Sequence, residues 1–85
     1  RFTYTLTDDA DKVDIIVYTV AGRKVVEFNN LPTSVGYHEY PRSVYGWDCK
    51  DKAGFDLANG VYFYKVIAKR DSKKIEKIQK MAIIK

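Results

Sequence analysis

The stretch Val61-Tyr62-Phe63-Tyr64-Lys65-Val66-Ile67-Ala68 decides how this chain is read. It is almost unbroken β-branched and aromatic sequence, which suits a pleated, buried strand. The polar Arg70-Asp71-Ser72-Lys73 that follows has the composition of a tight turn. From Lys74 to Ile84 two readings compete. Ile75, Ile78, Met81 and Ala82 fall on one stripe of an amphipathic helix. Met81-Ala82-Ile83-Ile84, however, is a continuous apolar tetrad after a hairpin-like turn, and this favours a strand that begins between Ile75 and Ile78 and runs to Ile84. Successive residues of a strand face opposite ways, so Tyr62 and Tyr64 point to one side and Phe63 to the other. On the last strand a slip of one residue exchanges Met81 and Ile83 for Ala82 and Ile84 on the inward face.

Upstream, Gly54, Asn59 and Gly60 mark a long turn region from Asp48 to Gly60. Val44 to Trp47 reads as a short extended piece after Pro41, and Tyr37 to Tyr40 as another before it. Pro41 has no amide to give a ladder, so it ends a strand, bulges it or holds it at an edge. Asn29 to Ser34 is loop composition. Val13 to Val20 and Lys24 to Phe28 are extended apolar runs joined at Gly22, which can adopt positive φ, and together they predict a β-hairpin. Phe2, Tyr4 and Leu6 alternate with threonines as a half-buried strand does. Six or seven strands with regular turns predict one all-β domain, an antiparallel β-sandwich spanning residues 1–85. Val13, Ile15, Val17, Tyr62, Tyr64, Val66, Met81 and Ile83 form the expected core. Tyr62 and Tyr64 are expected to send their hydroxyls to loop carbonyls, and Trp47 to bury its indole and find a partner for its N–H.

Composition narrows the function. No run approaches the ~20 apolar residues of a membrane-spanning helix, so membrane insertion is not expected. The chain opens on Arg1 without a charged-then-apolar leader, and the expectation is a processed product or a piece of a longer protein. One cysteine excludes an intramolecular disulfide and a four-cysteine zinc site. The net charge of +4 is uneven: residues 69–85 hold seven basic and two acidic groups, while the rest of the chain is close to neutral.

Three constellations invite chemistry. Cys49 and His38 are the only candidates for a thiol nucleophile and its base, with Asp48 as an orienting group. No nucleophile motif surrounds them, and unrelated surface residues are the better reading. Asp48, Asp51 and Asp56 offer oxygens for calcium, but Lys50 and Lys52 dilute the field and the spacing is not that of an EF-hand. Aspartates capping their own turn explain them better. The aromatic tract and basic tail resemble a base-stacking, phosphate-binding face. One set of those aromatics must fill the core, however, and lysines on a final strand commonly guard a sheet edge. No phosphate loop, dinucleotide fingerprint or paired-histidine spacing occurs. The expectation is a non-enzyme without cofactor, metal, nucleic acid or small-molecule substrate, whose partners are proteins.

Taken together, the residues resemble a known family. Asp14 to Val25 is similar to the "V-I-x-I-Y-D-x-x-G-R-x-V" hairpin of the immunoglobulin-like domain family found in the flagellar hook-capping protein and in the C-terminal sorting domains of type IX-secreted bacterial proteins. The likeness continues through Gly36-Tyr37-His38-Glu39, Trp47-Asp48, Asp51, Gly54 and Asn59-Gly60-Val61-Tyr62-Phe63-Tyr64. Lys80-Met81-Ala82-Ile83-Ile84-Lys85 resembles the "K-M-x-x-x-K" ending of the sorting domains. Cys49 stands where the family has glycine, Thr19 where it has aspartate, and Pro41 to Tyr45 lengthen the stretch before Trp47.

The resemblance implies an immunoglobulin-like or fibronectin-III-like sandwich of about seven strands at the end of a longer secreted protein. It also implies a sorting and cell-surface attachment role, exported through the periplasm, with Lys80, Met81 and Lys85 in the signal and the secretion machinery as partner. Gly22, Trp47, Asp48, Gly54, Gly60, Tyr62 and Tyr64 are then the structural turn and core motif. The alternative is a structural module that packs within a multidomain surface protein or an extracellular filament.

Overall fold

The computed structural model describes residues 2–40 and 49–84. Six strands lie within them: β1 (Phe2–Leu6), β2 (Lys12–Thr19), β3 (Lys24–Phe28), β4 (Gly36–Tyr40), β5 (Gly60–Arg70) and β6 (Lys73–Ile83). They form two antiparallel sheets, β1-β4 and β3-β2-β5-β6. The stretch Val44–Trp47, expected to be a further short strand, lies outside the described residues, as do Trp47, Asp48 and Lys85.

The tract Val61–Ala68 lies at the heart of the larger sheet. β5 pairs with β2 from Lys12↔Lys69 to Thr19↔Tyr62 and with β6 from Gly60↔Ile83 to Arg70↔Lys73. From Tyr62 to Ala68 its backbone is paired on both sides, and Tyr62, Tyr64 and Val66 turn inward to the core, as β-branched and aromatic sequence suits. The β5–β6 turn is the two residues Asp71-Ser72, and Asp71 adopts φ 53. Aspartate tolerates this left-handed conformation better than most residues.

β6 is a strand, and it starts at Lys73, earlier than its apolar pattern suggests. Pairing with the end of β5 carries the ladder through the lysine-rich Lys73–Lys77 stretch, where side-chain periodicity is silent. The register also settles which face is inward: Ile83 is 2% exposed and Ile84 87%. Met81 is half-buried against the core rather than within it.

The core lies between the two sheets. Phe2, Val13, Ile15 and Val17 are fully enclosed, joined by Tyr4, Val25, Val26, Leu31, Tyr62, Tyr64, Val66 and Ile83. Each such side chain contributes about 1.5–3 kcal/mol by leaving water. Val25 and Val26 are consecutive yet both buried. The reason is a bulge: Val17 pairs with Val26 and Tyr18 with Lys24, so Val25 is an extra residue in β3. Gly22 sits in the β2–β3 turn at φ 91, where a side chain would be strained.

Candidate functional site

Among the described residues, the side chains of His38, Asp51 and Asp56 help to hold the fold. His38, on β4, stands opposite Tyr4 on β1, with the two rings 5.1 Å apart. Its Nε2 donates to the Ser34 carbonyl at 2.7 Å. Cys49 lies in the loop that leads to β5, half-buried at φ 59, and its carbonyl accepts from the Leu57 amide at 3.0 Å. That conformation suits the glycine found at this place in the resembled family, so the substitution leaves a cysteine in a left-handed backbone.

In the same loop, Asp51 Oδ1 accepts from the amides of Ala53 (2.9 Å) and Phe55 (3.0 Å). Its backbone closes the turn with Phe55 and Gly54, and Gly54 takes φ 87. Lys50 Nζ meets Asp56 Oδ1 at 2.8 Å, across an isolated bridge between the same two residues. This is turn chemistry. Among the described residues no group of three or more histidine, cysteine or carboxylate side chains is placed to hold a metal ion.

Tyr62 and Tyr64 face the core, as the alternation requires. The Tyr62 hydroxyl donates to the Ala58 carbonyl at 2.8 Å, a loop acceptor. The Tyr64 hydroxyl donates instead to Gln79 Oε1 at 2.9 Å, because the β5–β6 register sets Gln79 directly opposite. Gly60 opens β5 across from Ile83. Of the proposed signal residues, Lys80 is exposed and Met81 half-buried on β6, so they point to opposite faces of one strand.

Two aspartates matter that the motifs did not single out. Asp14, on β2, is 6% exposed. It accepts from the Asn30 amide at 3.3 Å and lies 3.7 Å from Lys12 Nζ. The Asn29 amide, oriented by its acceptors, donates to it at 3.0 Å and to Glu27 at 2.8 Å. Asp11 ties the β1–β2 loop to the distant hairpin: its Oδ2 accepts from the Asp71 amide and its own amide donates to the Lys69 carbonyl, both at 2.7 Å. An acid inside a β-branched run was the available signal for Asp14. Nothing local announces Asp11.

The β5–β6 hairpin gathers much of the chain's basic charge. Lys69 stands opposite Lys74, and Arg70 opposite Lys73. Few acids answer them. Glu76 lies 3.1 Å from Lys74 and 3.9 Å from Lys65, and Asp8 lies 3.6 Å from Arg70. The hydrogen bond from Lys74, helped by the charge of Lys65, holds the Glu76 carboxyl below the usual carboxylate range. Beside the hairpin tip a cleft of about 650 Å³ lies between residues 5–10 and 68–73.

A two-sheet antiparallel β-domain whose polar side chains brace its own turns is what the immunoglobulin-like resemblance leads one to expect. The model of the FlgD Ig-like domain family matches residues 1–72, and the chain belongs to that family. FlgD from P. aeruginosa is similar in structure, with a TM-score of 0.75 and 23% identity over 92% of this chain. This chain spans 56% of the length of that one. At that identity the likeness concerns the fold. None of the curated proteins matches this chain. The family match ends at Ser72, so β6 lies beyond it although it completes the larger sheet.

Proposed function

We propose that this chain is a structural immunoglobulin-like module that packs against protein neighbours in a multidomain surface protein or an extracellular filament. It works outside the cytoplasm, reached through the periplasm, and performs no catalysis. The observation that carries this reading is the use of its candidate reactive groups. His38 is engaged by Ser34, Asp51 by two amides of its own turn and Asp56 by Lys50. Each braces the chain instead of facing a substrate. Membership in the family of FlgD, the flagellar hook-capping protein, supports a place in an assembly, and supports the module over a type IX sorting domain.

The test is made on the intact gene product in the cell that makes it. Lys80→Ala, Met81→Ala and Lys85→Ala are introduced together, and export and in-cell crosslinking are followed. A module is exported as before and still crosslinks to protein neighbours. Loss of export by a variant that remains folded assigns the chain to sorting instead. A native protein that crosslinks to no other protein, from any face, overturns the module.

A further inference from the structure

β6 is eleven residues long and lies at the end of the strand order of its sheet. One side is paired with β5 throughout. Among the described residues no strand pairs with its other side, and none of the loop and turn backbone hydrogen bonds reaches it. A free edge of this length spans ~36 Å of backbone donors and acceptors. Proteins shorten or guard such edges, because an open ladder recruits other chains.

The guard here has one sign. Lys73, Lys74, Lys77 and Lys80 stand on β6 against Glu76 alone, and β5 sets Lys69 opposite Lys74 and Arg70 opposite Lys73. Like charges directly opposite across a ladder are destabilising, yet the hairpin keeps two such pairs, Lys69↔Lys74 and Arg70↔Lys73. Between the lysines, Ile75 is 71% exposed and Ile78 61%. Three positions apart on a strand, they fall on opposite faces, so apolar surface flanks the edge on both sides.

We propose that the free edge of β6 receives an extended strand from a partner protein, in which acidic residues alternate with apolar ones. Main-chain hydrogen bonds supply the pairing, as in other cases of strand addition. The lysines select the acidic partner, and Ile75 and Ile78 give its apolar residues something to cover. A second copy of this chain is rejected, because two β6 edges would each bring a net charge of +3 to one ladder. The inference rests on the module reading and names the surface through which it acts.

The experiment uses the full chain and three synthetic twelve-residue peptides: alternating Glu and Val, the same peptide with Lys for Glu, and the Glu-Val peptide with a central proline. Binding is read by titration and by amide hydrogen exchange. The acidic peptide protects alternate amides within Lys73–Ile83, the basic peptide does not, and the proline peptide binds weakly. The variant Lys74→Glu, Lys77→Glu, Lys80→Glu loses affinity for the acidic peptide by about tenfold or more and gains it for the basic one. Milder Lys77→Gln and Lys80→Gln changes give a partial loss should the reversal fail to fold. Absent binding at millimolar peptide, protection confined to other strands, equal binding by the reversed variant, or self-association through β6 each overturns the proposal. If β6 amides stay unprotected while in-cell crosslinks form from other faces, the edge assignment fails and the module stands.

Discussion

The ring of Phe2 meets the ring of Tyr64 edge-on, with centroids 5.0 Å apart at 69°, and so joins the two-stranded sheet to the four-stranded one. Phe28 closes on the same ring from β3 at 5.6 Å. Because Phe2 is fully enclosed, Phe2→Ala leaves a cavity between the layers and costs about 3–5 kcal/mol, while Phe2→Leu costs less. Urea unfolding with an unchanged m-value measures both.

Tyr4 carries a pH effect. Burial pushes its hydroxyl pKa up to about 12 from 10.0, and the hydroxyl donates to the Pro32 carbonyl at 2.7 Å. The folded state thus holds this proton more tightly than the unfolded chain does. The resulting stability is fully present below pH 10 and is lost as pH rises towards 12. Tyr4→Phe removes the hydrogen bond, about 1 kcal/mol at neutral pH. It also removes the titration, so the gap between the two proteins narrows above pH 10. A gap in unfolding free energy that stays constant from pH 7 to 11.5 would refute this.

The Asp51 turn separates capping from calcium binding. Asp51→Ala strands the Ala53 and Phe55 amides and costs about 1–2 kcal/mol. Asp51→Asn, which keeps an acceptor oxygen, costs less. Calcium at ~1 mM leaves the melting temperature of the native chain unchanged, as calorimetry would record.

The end of β6 gives a paired test of register. Ile83→Ala removes a side chain that is 2% exposed and costs about 2–5 kcal/mol. Ile84→Ala removes one that is 87% exposed and stays within about 0.5 kcal/mol. Equal costs in thermal unfolding would mean that the strand is slipped by one residue.

Much of this fold is legible in the sequence because period-2 alternation and burial agree. Val13, Ile15, Val17, Tyr62, Tyr64, Val66 and Ile83 are all buried where that alternation sets them. Phe2 and Tyr4 have the same pattern, but their depth depends on the second sheet closing over them, which no local feature announces. Val25 and Val26 break the alternation through a bulge, a property of pairing rather than of composition. The start of β6 escapes because Lys73 and Lys74 hold strand geometry through the ladder to β5. The turn role of Asp51 follows from its short side chain beside Gly54. The role of Asp11 does not, since its partners lie some sixty residues away in the chain.

The seam between β2 and β5 has a consequence for how the chain assembles. β2–β3 and β5–β6 are hairpins, each closed by a short turn. The eight-pair ladder that unites them joins positions 43 to 57 residues apart. Hairpins form in microseconds, whereas a non-local seam must wait for the intervening chain to close. On this topology the slow event is expected to be the joining of the two hairpins of the larger sheet, and slackening the long connection between them should change the rate of assembly far more than the stability of the finished domain.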